Sequence, residues 1–349
     1  SIGAAIALKN LMTRQNIPGT IRLYGCAAEE TEGAKTYMAR EGLFDDLDVA
    51  LHWHPGAQAS VTNIRSAATN SIRIEFFGRG AHAGGAPWLG RSAVHAAELF
   101  AHGINIMREH LEPTARVHYI YEKAGEAPNV VPEYARIRLY VRDIDRQHVE
   151  ASTAWIKQIA AGAALATQTR EKTLVYSGLY DLLPNMPLAE RMHSHMQRIG
   201  VPTYSEEEQT FAREIQRNAG VEPQGMATTV QPLSDGTIPM GFSTDVGDVS
   251  WCTPTMGCGM PTIPLGIAVH TWAATACHGM SIGLKGAIYA ARVLAASGVE
   301  IMTDAELRQA ARADFERRTS GKPYVSPLPA EMKHPLELPE RMLTEPVLQ

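Results

Sequence analysis

The sequence predicts an α/β protein whose mainly parallel mixed sheet, with helices on both faces, is interrupted by a ferredoxin-like α+β domain. Near the start, a strand, a helix and a second strand follow one another at the spacing of a βαβ unit, which makes neighbouring strands parallel. Further along, alternating polar and apolar strands occur in the order β-α-β-β-α-β, the split βαβ arrangement. We therefore predict a discontinuous domain at residues 1–66 and 184–349 and an inserted domain at 67–183.

The first elements follow from local patterns. Apolar residues at helical spacing predict the opening helix, Pro18-Gly19 predicts a turn, and Gly42 ends the next helix. A second apolar strand stops at Pro55. The predicted elements are a helix at 1–14, a strand at 21–27, a helix at 33–41 and a strand at 48–54.

The inserted domain is predicted from period-two alternation, as in the run that begins at Ser71. Its elements are a strand at 71–78, a helix at 91–110, strands at 115–123 and 134–143, a helix at 146–166 and a strand at 171–180. After it we expect helices at 187–199, 206–219 and 279–297, loop and strand at 226–269, and an irregular tail after Gly321.

Composition argues against several classes of partner. The chain has 349 residues, a net charge of −5 and no block of Lys or Arg, so neither nucleic acid nor a membrane is expected as a partner. Its four cysteines form no CxxC pair, which favours a reducing compartment and hence a cytoplasmic location. Because Ser1 opens directly on an amphipathic helix, we expect the native protein to continue upstream.

Two adjacent carboxylates, Glu29 and Glu30, follow the predicted strand 21–27. Ligands and catalytic groups collect beyond the carboxyl ends of strands in α/β sheets. One carboxylate there can bind a metal while its neighbour moves protons. The alternative is a solvated helix start, since acidic residues favour the first turn of a helix.

Histidines form a second group of candidates. His52 and His54 lie two apart on the strand at 48–54, so both can face one cleft, and His270 ends another apolar run. Imidazole and carboxylate together suit zinc, manganese or cobalt. Without further context, the two strand histidines are equally compatible with ordinary core or surface positions.

The inserted domain contributes three further candidates. His82 lies in the glycine-rich segment Gly78-Arg-Gly-Ala-His-Ala-Gly-Gly-Ala-Pro87, where it can polarise a substrate carbonyl. Asn129 can donate to an oxyanion or a carboxylate, and Arg142 can hold a carboxylate through two parallel hydrogen bonds. The alternatives are a flexible connector carrying a solvated His82 and an arginine that simply faces solvent.

These motifs, in this order, resemble the aminoacylase/carboxypeptidase family of co-catalytic metallopeptidases and amidohydrolases. The likeness covers nearly the whole chain. It rests on Ala-Ala-Glu29-Glu30-Thr, Asp48 with His54 six residues later, the glycine-rich segment around His82, Gly90-Arg-Ser-Ala, Asn129-Val-Val-Pro, Ser243-Thr-Asp-Val-Gly-Asp-Val-Ser-Trp251 and Val269-His270-Thr-Trp.

The resemblance implies a metal-dependent hydrolase of amide bonds. By matching position, Glu29 is the general base, His82 the lid histidine that reaches into the partner subunit's site, and Asn129 and Arg142 the groups that bind the substrate carboxylate or oxyanion. The implied metal ligands are Glu30, His54 and His270, with His52 as the runner-up to His54. The inserted domain is implied to be a lid that also forms a homodimer.

The implied substrate is a small N-acyl or N-aroyl amino acid with a free carboxylate, aminobenzoyl-glutamate being the first expected. A dipeptidase, or another N-acyl-amino-acid hydrolase of the same family, is the nearest alternative. Two divalent ions per subunit, zinc or manganese, are expected in the full-length protein, with two further ligands upstream of Ser1. Because the family's Gly-x-Cys-Gly-His segment does not occur in this sequence, a non-catalytic binding or regulatory relative is the alternative from another class.

Overall fold

A computed structural model describes residues 1–31, 33–235 and 242–333. Within these ranges the first sheet has the strand order β1-β7-β2, with β7 in the centre. β7 runs parallel to β1 and antiparallel to the short β2, so strands about 200 residues apart in sequence are neighbours. The strands are β1 (Ala50–Gly56), β2 (Ser60–Val61) and β7 (Thr255–Pro261).

Helices pack against this sheet, and the longest described one, α9, forms its core. An 18-residue window of α9 has a mean hydropathy of 1.2, which by length and composition alone would suffice to cross a membrane. Half of that window is buried inside the protein, against α1, α5 and the strands β1 and β7, so α9 acts here as a core helix. The helices are α1 (Ile2–Gln15), α2 (Ala34–Arg40), α5 (Met186–Ile199), α6 (Glu206–Asn218), α7 (Val246–Cys252), α8 (Trp272–His278), α9 (Ser281–Thr303) and α10 (Ala305–Thr319).

The second sheet is entirely antiparallel, with the order β4-β5-β3-β6, and it has the ferredoxin-like arrangement that the sequence predicts. Two helices cover one of its faces and bury Phe76, Phe100 and Ile137 completely. The elements are β3 (Ala68–Phe77), α3 (Ala93–Arg108), β4 (Arg116–Ala124), β5 (Tyr134–Asp143), α4 (Arg146–Thr167) and β6 (Arg170–Leu179). The predicted α/β fold class is confirmed, and the domain boundaries at 66/67 and 183/184 stay a prediction.

One predicted strand is wrong. Residues 21–27 run irregularly and are followed by a turn that joins Ala28 to Gly33 through backbone hydrogen bonds. A strand requires a neighbour that completes its ladder of hydrogen bonds, and none of the described strands lies beside this segment. The stretch 226–269 contains β7 as expected, but also the helix α7. Residues 321–333 are irregular as predicted, and the rest of that tail lies outside the described residues.

Candidate active site

The loop before α7 joins two of the predicted site residues. Thr244 donates a hydrogen bond from Oγ1 to Oε1 of Glu29, over 2.8 Å. One residue earlier, Ser243 Oγ accepts a hydrogen bond from Arg142 Nη1 over 3.4 Å. Glu29 comes from the N-terminal region and Arg142 from the end of β5, so this loop brings the predicted base and the predicted carboxylate-binding arginine to one place.

The next residue of the loop, Asp245, anchors it. Its carboxylate is fully buried and accepts two hydrogen bonds from Lys35, one from the backbone N–H over 3.1 Å and one from Nζ over 2.7 Å. Burial raises the pKa of Asp245, and the Lys35 ammonium acts in the opposite direction. Because Lys35 lies in the first turn of α2, this contact holds the turn that contains Glu29 and Glu30 against the start of α7.

Backbone conformation marks the same place. Among the described residues, five that are not glycine have a positive φ. Three of them, Asn16, Gln168 and Ser320, are helix C-caps, where a left-handed residue is normal. The other two are Ala28, at φ 54° directly before Glu29, and His270 itself, at φ 61°. Such conformations cost free energy and cluster at functional sites.

Glu30 and His270 lie next to each other. Oε1 of Glu30 is 3.5 Å from Nε2 of His270, and both side chains are about two-thirds exposed, at 66% and 67%. Ligands that bind a tetrahedral zinc ion at about 2.0–2.2 Å stand roughly 3.3 Å from each other. The spacing and the donor chemistry of this pair therefore fit two ligands of one divalent ion.

The two strand histidines differ in accessibility. His52 has a completely buried Nε2 that packs on Gly257 and lacks a hydrogen-bond partner in the described ranges, and burial lowers the pKa of His52 to about 4. His54 is exposed, with Nδ1 2.6 Å from the carbonyl oxygen of Pro55. Since a carbonyl only accepts, Nδ1 carries the proton and Nε2 keeps a lone pair, as in many metal-bound histidines.

Three ligands do not come together in this conformation. The described part of the chain contains no group of three His, Cys, Asp or Glu side chains at metal-binding distance. Glu30 and His270 are adjacent. His54 lies apart from them on β1, where its charge acts with burial to lower the pKa of His278. The donor types fit zinc or manganese, and the assignment of Glu30, His54 and His270 as ligands stays a prediction.

His82 is held by its own loop. The backbone N–H groups of Gly84 and Gly85 both donate to Nδ1 of His82, over 3.2 and 3.0 Å. The ring proton of the neutral imidazole is therefore on Nε2, on an exposed side chain that can donate to a substrate. Ala83 N–H donates to the carbonyl of Asn129 over 2.9 Å, so the structure places these two candidates on adjoining loops.

Sequence reasoning did not identify Thr244 and Lys35. Both act at the Ser243-Thr-Asp segment, which the sequence analysis used only as part of a likeness. The available signal is a hydroxyl residue and an acid directly before a short helix, a position where such side chains bind backbone or neighbouring polar groups. Their partners, Glu29 and the start of α2, lie more than 200 residues away.

The fold and the site define a two-sheet α/β hydrolase with an inserted antiparallel domain and a carboxylate–imidazole cleft. Comparisons agree with this class. Residues 66–167 match the family model described as the peptidase dimerisation domain. The chain is 34% identical to one of the two subunits of the p-aminobenzoyl-glutamate hydrolase of Escherichia coli, over 94% of this chain and 74% of that protein. It is 26% identical to human Xaa-Arg dipeptidase, over 93% of this chain and 68% of that protein.

The chain belongs to the M20 family of metallopeptidases and amidohydrolases, which are hydrolases of amide bonds. A crystal structure of an aminobenzoyl-glutamate utilization protein from Klebsiella pneumoniae has the same fold, with a TM-score of 0.54 and 18% identity. That alignment covers 86% of this chain and 65% of the Klebsiella chain, so this chain spans about two-thirds of that protein's length.

Proposed function

We propose that the protein is a metal-dependent amidohydrolase that cleaves the amide bond of an N-acyl or N-aroyl amino acid, with p-aminobenzoyl-glutamate as its leading substrate. The observation that carries the proposal is the side-by-side arrangement of two differently held carboxylates, Glu29 bonded to Thr244 and Glu30 facing His270. The name of the 34% identical relative supports the choice of substrate.

Each residue of the site has a separate task in this reaction. Glu30, His54 and His270 would hold the metal, which when bound supplies Lewis-acid activation of the carbonyl and of water. Glu29 takes a proton from the attacking water and gives it to the leaving amine. The exposed Nε2–H of His82 donates to the developing oxyanion.

Arg142 and Asn129 bind the free carboxylate of the amino acid. A guanidinium holds a carboxylate through two parallel hydrogen bonds, which fixes the substrate's position as well as its charge. Arg142 already lies at the Glu29 loop through Ser243. A substrate held there has its amide bond within reach of the two carboxylates, which explains a preference for amides that carry a free carboxylate.

A dipeptidase is the second candidate, and the likeness to human Xaa-Arg dipeptidase favours it. The two activities are separated by assaying p-aminobenzoyl-glutamate, benzoyl-glycine and an Xaa-Arg dipeptide with added zinc or manganese, and again with chelator. We expect fastest release of p-aminobenzoate and its loss with chelator. Fastest cleavage of the dipeptide would select the alternative. No cleavage of any amide, with no metal retained by elemental analysis, would indicate a non-catalytic binding relative.

We further propose a homodimer formed through the inserted domain. The family model that matches residues 66–167 describes a dimerisation domain. β4 lies at the edge of the second sheet and exposes Ile120 and Tyr121, while α3 beside it exposes Leu99 and Ile106. An open strand edge flanked by apolar side chains is a surface that a second copy can cover. The expectations of two metal ions per subunit and of a cytoplasmic location also stay proposals.

A further inference from the structure

The face of the second sheet that points away from α3 and α4 is rich in arginine. We call it the arginine face, and it comprises Arg73, Arg116, Arg136, Arg138 and Arg142. In the strand register Arg73 lies directly opposite Arg138, and Arg116 directly opposite Arg142. Like charges directly opposite one another destabilise a sheet. This arrangement therefore costs stability unless anions neutralise it.

The described carboxylates on this face do not balance it. Glu122 serves three arginines at once, with carboxylate oxygens 3.0 Å from Nε of Arg136, 3.2 Å from Nε of Arg138 and 3.4 Å from Nε of Arg73. The Nε groups of Arg73 and Arg136 are buried without an aligned hydrogen bond in the described ranges. The second carboxylate, Glu75, accepts a hydrogen bond from the hydroxyl of Tyr134 over 2.5 Å.

The arginine face begins at the candidate active site. Arg142 reaches Ser243, and the adjacent Thr244 holds Glu29. From Arg142 the same face of β5 continues to Arg138, about 13 Å away at ~3.3 Å per residue, and to Arg136, about 20 Å away. A row of cationic side chains therefore leads outward from the place where the amide bond would lie.

We propose that the arginine face is an extended anion subsite for the leaving part of the substrate, so that the protein prefers an acyl group attached to a short chain of acidic amino acid residues over one attached to a single residue. The proposal rests on the proposed function. Each added carboxylate reaches a further guanidinium, and a chain of three residues, at most about 10 Å long, spans the distance from Arg142 towards Arg138.

The test compares α-linked p-aminobenzoyl-Glu-Glu-Glu with p-aminobenzoyl-glutamate. In the wild-type protein the longer substrate should have a KM at least tenfold lower. In the double variant Arg73→Gln/Arg138→Gln, its KM should rise at least tenfold more than the KM of p-aminobenzoyl-glutamate. The matched control is Arg312→Gln, an exposed arginine on α10 that is paired with Glu316. Equal KM values for the two substrates in the wild type would overturn the proposal.

A binding measurement separates this proposal from the proposed function. By isothermal titration calorimetry, without added metal, the tripeptide Glu-Glu-Glu should bind the wild type at least tenfold more tightly than glutamate, and more weakly as salt rises. Glu122→Gln should tighten binding, because it frees guanidinium groups, an effect that a purely structural role would not produce. Weaker binding in Glu122→Gln, with an unchanged melting temperature, would contradict the proposal. Tripeptide binding without amide hydrolysis would refute only the proposed function.

Discussion

At the scale of single residues, Glu29 and Glu30 are neighbours in sequence with different surroundings. Glu29 is half-buried and accepts a hydrogen bond from Thr244, whereas Glu30 is exposed and faces His270. The left-handed backbone of Ala28 turns the chain directly before them. This difference is what a proton-transfer group beside a metal ligand requires, because the two carboxylates must point at different partners.

Thr244 is predicted to position Glu29. In Thr244→Val the hydrogen bond to the carboxylate is lost while the shape is kept, so kcat should fall about tenfold to a hundredfold, the equivalent of a hydrogen bond to a charged group, with KM little changed. Thr244→Ser, which keeps the hydroxyl, should restore most of the rate. Steady-state kinetics of both variants decide the matter. Equal loss in the Ser and Val variants would point to packing instead.

His82 is predicted to act on the transition state. Its glycine loop leaves the Nε2–H free to donate, so His82→Ala should lower kcat by about 10²–10³-fold and affect KM much less. The measurement is kcat and KM for the best amide substrate, with His110→Ala as a control for loss of an inserted-domain histidine outside the loop. A variant that changed KM alone would show that His82 binds substrate without stabilising the oxyanion.

At the scale of elements, a buried carboxylate joins α7 to the end of β6 and to the C-terminal segment. Asp248 accepts hydrogen bonds from the hydroxyl of Tyr324 and the backbone N–H of Tyr180, over 2.7 and 3.2 Å. The ring of Tyr180 packs on Tyr324 and Trp251 at centroid distances of 5.2 and 5.0 Å. This cluster ties the inserted sheet to the first one beside the catalytic loop.

The buried Asp248 predicts a pH dependence of stability. Burial raises the pKa of Asp248 from 3.8 to about 7, so the folded chain holds a proton there that the unfolded chain releases. Its contribution to stability is therefore complete below about pH 4 and is lost as pH rises through about 7. Asp248→Asn, which cannot ionise, should gain stability relative to wild type between about pH 5 and pH 8. Urea unfolding at both values tests this, and a constant difference between the two proteins would contradict it.

Sequence patterns were sufficient for elements whose signal is local. The alternation in β3 and β5 and the apolar spacing in α3 and α4 predict those elements almost to their ends. The segment 21–27 has the composition of a strand, but a strand also needs a partner, and composition does not report that. The short helices α7 and α8 escaped prediction because seven residues are too few to show a helical period.

At the scale of the whole molecule, the site is built from distant segments, which limits what a single sequence reveals. Residue types and motif order were enough to select Glu29, His82 and Arg142. The contacts that hold them could not be read, because Thr244 and Ser243 reach residues 215 and 101 positions away. The difference between His52 and His54 likewise depends on Gly257 of the neighbouring strand.

The proposed homodimer predicts complementation between inactive subunits. Mixed and refolded at equal amounts, His82→Ala and Glu29→Gln subunits should recover about one quarter of wild-type activity, since half of the dimers are mixed and each has one intact site. The measurement is activity after exchange, with heterodimers verified by mass spectrometry. Heterodimers without activity would mean that His82 serves its own subunit or takes no part.

The most direct test of the central claim, that Glu29 is the base of a metal-dependent amide hydrolysis, is the rate of p-aminobenzoate release by the wild type and by Glu29→Gln in added zinc or manganese. The account predicts release by the wild type and a kcat about 10²–10⁴-fold lower in the variant, with metal content and substrate binding retained. A variant that keeps a near-normal kcat would contradict it.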